Sequence, residues 1–332
     1  MTDSINTRSS SRCSSPRKAP KDDTSSLVSK TSSSGGEGSS GSSTAGGSAR
    51  GASVARAMAR GGSWTTTMNT NESSGDRDLF FVSLNPLAPV TVVLLHIIFS
   101  SHLDWVHIWP KLSEYHLIIP DLPQHSRSRH VKPFSFDLSA DLVADLIRKH
   151  AHDGKAHLVG MSTGGYIALE MVRRHPDVIQ SVFASGVSYL FGGWQTLSKR
   201  YPKVMALGLS AMLNTPSGML LKATGWATHL QNEELLREIR KNTTPNLSAA
   251  GVGDTHRYSR EDVIEAGKQS KRVAVVAGGK QDHIEGPGEE TRTFVVKNGI
   301  HVWNLQLPEL FAQSVRAWIE GYPMPVGLEE LE

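Results

Sequence analysis

The sequence predicts an α/β protein with a mostly parallel central sheet flanked by helices, a helical cap insertion and a disordered N-terminal tail. Three observations predict it. From about Leu79 onward, apolar runs of strand length alternate with amphipathic stretches of helical period, the pattern of parallel strands joined by crossover helices. The strand-length runs are continuously apolar, as in strands covered on both faces. Residues 1–75 hold 21 Ser and 10 Gly but only eight residues of the Val, Ile, Leu, Met, Phe, Tyr and Trp set, too few to offset the entropy of ordering the chain.

The elements follow in order. The tail, 1–75, is low-complexity linker composition. Arg50, Arg56 and Arg60 have the look of an organellar presequence, against which Asp3, Asp22 and Asp23 argue. Met68 is an alternative start, so residues 1–67 need not belong to the mature protein. The body, 76–325, is expected to be one domain. Residues 90–95 and 115–120 read as the first two buried strands. Leu138, Leu142, Val143, Leu146 and Ile147 then mark one face of a helix. Further strands are expected at 156–159, 178–183, 272–277 and 293–296. Leu310, Val315, Trp318 and Ile319 mark a final helix, entered through Pro308. Residues 186–269 break the rhythm with helical patterns and no buried strand. Val204, Met205, Leu207, Leu209 and Met212 form one apolar group there, and Leu235, Leu236 and Ile239 another. Ser259 to Asp262 resembles a capping box. This insertion is read as a cap over the carboxyl edge of the sheet.

Composition excludes several functions. Cys13 is the sole cysteine among 332 residues, so there is no intramolecular disulfide and no cysteine cluster for zinc or iron–sulfur. No run approaches ~18 apolar residues, the length of a membrane span. The chain carries 35 Lys+Arg against 32 Asp+Glu, but residues 1–75 hold 9 of the basic and 5 of the acidic groups. The body is therefore near neutral, with no attraction for nucleic acid. No secretion signal and no peroxisomal ending are present, so cytoplasm is the default location. Oligomeric state is left open.

Gly160-Met161-Ser162-Thr163-Gly164 matches G-x-S-x-G, between an expected strand and an expected helix. A tight strand-to-helix turn strains the serine backbone and needs small neighbours, which Gly160 and Gly164 supply. The helix N-terminus sets free N–H groups beside the hydroxyl. A phosphate loop would need Lys after its glycines, and Tyr166 stands there instead. A serine hydroxyl also needs a base, and the base needs an orienting group. In α/β-hydrolases the chain order is serine, acid, histidine. Of His175, His229, His256, His283 and His301, the last sits between the final expected strand and the final helix, where a loop reaches the carboxyl edge. His175 reads as a helix C-terminal cation. Asp282, after the strand at 272–277, is the chosen acid, with Glu285, Glu289 and Glu290 as rivals.

Together these segments resemble the α/β-hydrolase fold superfamily, in its small, capped, single-domain branch, over about three quarters of the chain. Leu94-Leu95-His96 with Trp105, Asp121-Leu122-Pro123 with Arg127-Ser128, the Ser162 turn, and residues 279–282 followed by His301 carry the likeness. The stretch 301–310 is similar to fungal members. The resemblance implies that Thr163 and Ile98 donate backbone N–H groups to the oxyanion. Two departures stand out. The family usually has Gly after the first-loop histidine, where this chain has Ile97, whose β-branch would narrow the backbone angles and misplace the Ile98 N–H. Gln124 and Ser126 replace frequent glycines, which alters a loop beside the pocket more than the chemistry. Haloalkane dehalogenases and epoxide hydrolases use an Asp nucleophile, so Ser162 argues against both.

The expected activity is a metal-free, cofactor-free serine hydrolase. It would cleave an ester, thioester or lactone of a small, mostly apolar molecule, with specialised metabolism as one expected setting, through Ser162, His301 and Asp282. Met205, Leu209, Met212, Trp194 and Trp226 would shape its pocket. The alternatives are triad-dependent C–C hydrolysis or lyase chemistry, and a ligand-binding accessory protein weakened at Ile97.

Overall fold

The computed structural model describes residues 66–68, 77–187, 200–201, 204, 207–208, 232–257, 260–268, 271–278 and 291–331. Its strands are β1 (Thr66–Met68), β2 (Phe81–Leu84), β3 (Thr91–Leu95), β4 (His116–Pro120), β5 (Ala156–Met161), β6 (Ile179–Ser185), β7 (Arg272–Ala277), β8 (Thr291–Val296) and β9 (Leu328–Leu331). They form one sheet in the order β1-β2-β4-β3-β5-β6-β7-β8-β9. From β4 to β8 every pairing is parallel. β1 and β2 are antiparallel at one side, and β9 runs antiparallel to β8 at the other.

The continuous apolar runs are explained by the two faces they serve. Val93 and Leu95 of β3 pack into one core, with Ala140, Val143 and Ile147 of helix α1 (Phe136–His150) and Ile167, Leu169 and Met171 of α2 (Thr163–Arg174). Val92 and Leu94 point the other way, into a second core with Trp105, Trp109, Leu112 and, from α7 (Pro308–Glu320), Phe311, Val315 and Trp318. Each helix carries its start signal. Ser135 caps α1, its side chain accepting the Leu138 N–H at 3.1 Å. Pro308 opens α7, and Gly321 at φ 76° closes it.

Between β6 and β7 the described residues hold α3 (Glu233–Asn242), α4 (Pro245–Arg257) and α5 (Arg260–Gly267), and no strand. Leu235 and Ile239 of α3 are buried, as their period predicts. Val204 and Leu207 are exposed, so the apolar group expected around 204–212 is not uniformly packed inward. Ser259 of the expected capping box lies outside the described residues, and α5 begins at the next position. A short helix, α6 (Trp303–Gln306), precedes α7.

Candidate active site

The turn from β5 into α2 holds Ser162 at φ 51°, ψ −113°. An L-residue held there costs about 1–3 kcal/mol, and the surroundings must impose it. They do so by close approach. A β-carbon on Gly160 would lie 2.2 Å from the Gly164 carbonyl oxygen, and one on Gly164 would lie 2.1 Å from the Leu95 carbonyl oxygen of β3. The Ser162 N–H donates to Ser185 O of β6 at 2.7 Å, and Ser162 O accepts the Tyr166 N–H at 3.1 Å. Thr163 is buried as the first residue of α2, where a helix has no internal acceptor for its N–H.

His301 lies at the ends of the neighbouring strands β6 and β7. Its ring lies against Gly186, directly after β6: a β-carbon there would be 3.0 Å from His301 Cε1 and 3.4 Å from Nδ1. Gly278, directly after β7, packs on the His301 backbone. The link between the two arms is Ser185. Its carbonyl takes the Ser162 N–H, while its hydroxyl accepts the Trp303 indole N–H at 2.7 Å and donates to Val276 O of β7 at 3.3 Å. Ser162 and the His301 loop are thus tied to one fully buried residue.

The loop after β3 supplies the remaining edge. Ile97 is buried in the second core and its φ is not positive; the left-handed residue is Phe99, at φ 66°. Ile97 thus sits outside the left-handed region, and the left-handed angle of this loop falls two positions later. Asp104 Oδ2 accepts the Ile97 N–H at 3.1 Å, His125 Nε2 accepts the Phe99 N–H at 3.0 Å, and Ile97 O accepts the Ser100 N–H at 3.1 Å. Among the described residues no acceptor is within hydrogen-bond reach of the Ile98 N–H. The Ile98 side chain is half-buried, and a β-carbon on Gly251 of α4 would come within 2.9 Å of it. Gln124 and Ser126 take φ 63° and 40°.

Buried imidazoles brace these loops in their neutral form. His96 Nδ1 donates to Ile97 O at 2.8 Å while Nε2 accepts the Leu122 N–H at 3.0 Å. His125 does the same between Pro123 O at 2.8 Å and the Phe99 N–H. Each ring needs one protonated and one bare nitrogen, which only the neutral form has. Burial lowers His96 to about 4 and His125 to about 3. It also lowers His116 and His157 to about 4. Asp104 goes the opposite way: burial raises its carboxyl to about 7. Burial pushes Asp121 up too, but the His102 ring and N–H, with His96, outweigh it and hold Asp121 below the ordinary range.

The sign of the pH dependence follows. The unfolded chain binds protons at these four histidines below about pH 6.5, and the folded one does so only near 3 to 4. Their stabilisation is complete above about 6.5 and is lost as pH falls. Asp104 gains stability as pH falls from 7. Among the described residues these four histidines, joined by His107 and His150, which burial also lowers, outweigh this one carboxyl and predict a Tm lower by at least about 5 °C on going from about pH 7.5 to about pH 5. Thermal unfolding followed by circular dichroism across that interval checks it, and a flat or rising Tm would contradict it.

Ser162, Thr163, His301 and Ile98 are thus all placed at the carboxyl ends of β3, β5 and β6 and the loop beside them. Asp282 and its rivals, and the pocket candidates Met205, Leu209, Met212, Trp194 and Trp226, lie outside the described residues. His175 ends α2, its Nε2 at 2.7 Å from Asp141 Oδ1. His256 lies on α4. Among the described residues no three His, Cys, Asp or Glu side chains gather as metal ligands. No helix among them is long and apolar enough to cross a membrane. Sequence reasoning missed Ser185, Asp104, His125 and Asn242. Their partners lie up to 143 positions away, so no local spacing marks them.

Residues 90–287 match the alpha/beta hydrolase fold family. The chain is similar to an AB hydrolase superfamily protein of Gibberella zeae, 27% identical over 287 residues, spanning 80% of this chain and 92% of the relative. It is similar to a pimeloyl-acyl-carrier-protein methyl ester esterase of Neisseria meningitidis, 26% identical over 228 residues, 60% of this chain and 67% of the relative. A solved structure of a thermophilic esterase from Thermogutta terrifontis aligns with a TM-score of 0.55 at 20% identity, covering 78% of this chain and 92% of that one. That likeness is one of fold. The family match takes in β3 through β7 and the Ser162 turn, more than half of the chain, and on it this protein is an enzyme of the alpha/beta hydrolase fold family.

Proposed function

We propose that the protein is a serine hydrolase that cleaves an ester, thioester or lactone of a small, mostly apolar molecule. The observation that carries the reading is the strained Ser162 backbone at a helix N-terminus, with the His301 ring against the adjoining Gly186. In this reading Ser162 Oγ attacks the carbonyl carbon as His301 takes its proton. The N–H groups of Ile98 and Thr163 receive the developing oxyanion, where an aligned donor is worth ~10²–10³-fold in rate. His301 then gives the proton to the leaving alcohol or thiol. A water, deprotonated by His301, releases the acid from Ser162. Asp282 holds the His301 tautomer and stabilises the imidazolium.

The apolar substrate class is supported by the composition of the insertion, with Met205, Leu209, Met212, Trp194 and Trp226 as pocket residues. The methyl ester esterase from Neisseria meningitidis supports ester chemistry. The test is hydrolysis of p-nitrophenyl and thiocholine esters of graded acyl length by purified wild type and Ser162→Ala. The reading expects turnover by the wild type alone. Equal hydrolysis by both, or carbon–carbon cleavage of β-diketones without ester turnover, would overturn it.

A further inference from the structure

We propose that Asn242 is a positioning residue that aims the Ile98 N–H, coupling helix α3 of the insertion to the oxyanion site. The inference rests on the serine-hydrolase reading above. Asn242 is the last residue of α3 and is 1% exposed. Its Nδ2 donates to Phe99 O at 2.9 Å and to Ser100 O at 2.8 Å. Its Oδ1 accepts the Ser126 N–H and Arg129 Nη2, both at 2.8 Å. An asparagine amide has two N–H hydrogens and two carbonyl lone pairs, and all four are used.

The consequence runs through peptide planes. Phe99 O and the Ser100 N–H belong to one peptide unit, which is planar. Asn242 holds its oxygen, and its N–H donates to Ile97 O at 3.1 Å. Ile97 O in turn shares a plane with the Ile98 N–H, so fixing one fixes the direction of the other. His96 Nδ1 holds the same Ile97 oxygen at 2.8 Å. The chain of constraint is therefore Asn242, the 99–100 peptide, the 97–98 peptide, and the Ile98 N–H. It maintains Phe99 at φ 66°, an angle an aromatic residue does not choose by itself. The other half of the amide pins Ser126 at φ 40°. One side chain thus secures both strained loops to α3, whose Leu235 and Ile239 are anchored in the core.

The test compares wild type, Asn242→Asp, Asn242→Ala and Ser162→Ala on a short-chain p-nitrophenyl ester. Inhibition by a trifluoromethyl ketone, which binds serine as an oxyanion adduct, is measured in parallel. Asp keeps the shape of Asn but has no N–H to give Phe99 and Ser100, and it decides the matter if the alanine variant does not fold. The expected result is a kcat lower by ~10²-fold, as for loss of an aligned oxyanion donor, with KM within about threefold. Ketone affinity should fall in proportion to kcat. Wild-type kcat and ketone affinity in the folded Asp variant would overturn the inference alone, as would a loss confined to KM. Hydrolysis by Ser162→Ala equal to wild type, or none by wild type, would overturn the serine-hydrolase reading and this inference with it.

Discussion

Replacing Ser162 by glycine is expected to abolish turnover and raise stability together. The hydroxyl is the proposed nucleophile, and removing it costs on the order of 10⁴-fold or more in kcat. The backbone at φ 51°, ψ −113° is costly for any residue with a β-carbon and cheap for glycine. Relief of ~1–3 kcal/mol of strain, less the extra chain entropy of glycine, leaves a gain of about 1 kcal/mol. Ser162→Ala makes the comparison clean. It removes the hydroxyl but keeps the β-carbon, so it should lose activity without gaining stability. Urea unfolding of the three proteins at constant m reads the difference. A glycine variant no more stable than the alanine variant would show that the turn carries no strain.

The second large effect is expected at Gly164. A methyl group there would sit 2.1 Å from Leu95 O and 2.6 Å from Leu95 C. These are backbone atoms of β3, which is hydrogen-bonded on both sides to β4 and β5. No side chain can swing away, so the helix or the sheet must move. Ordinary overpacking costs ~1–3 kcal/mol, and a clash with fixed backbone belongs to the rarer class above about 4 kcal/mol. Gly164→Ala should therefore be recovered unfolded, or with a denaturation midpoint far below wild type. Gly253 on α4 is the control, since a β-carbon there meets nothing within 4 Å. Gly253→Ala should be stabilising by up to about 1 kcal/mol, the helix preference for Ala over Gly. Equal behaviour of the two variants would contradict the close packing of the Ser162 turn.

The parallel core of the fold was legible because burial on both faces demands uninterrupted apolar runs. β3, β4, β5, β6, β7 and β8 stand where such runs stand. The sheet margins were not legible. β9 is Leu-Glu-Glu-Leu and mostly exposed, so nothing in its composition needs a buried face. β1 is three residues inside the Ser/Gly-rich stretch, and it owes its place to pairing with β2. At the site, the serine turn was legible because a strained angle and two close contacts force Gly–x–Ser–x–Gly into the sequence. The supports were not. Asn242, His125 and Ser185 act through hydrogen bonds between distant segments, and their residue types are common on any surface. Ile97 shows the opposite limit. The sequence marks Ile97 as the departure, while the left-handed residue of this loop is Phe99, a position nothing in the sequence singles out.

The central claim is that Ser162 is an activated nucleophile with His301 as its base. Intact-mass measurement after treatment with a fluorophosphonate tests it most directly, on wild type, Ser162→Ala and His301→Ala. The account predicts one adduct on wild type, none on Ser162→Ala, and labelling slowed by at least ~10²-fold on His301→Ala. An unlabelled, folded wild type, or an adduct that persists in Ser162→Ala, would contradict it.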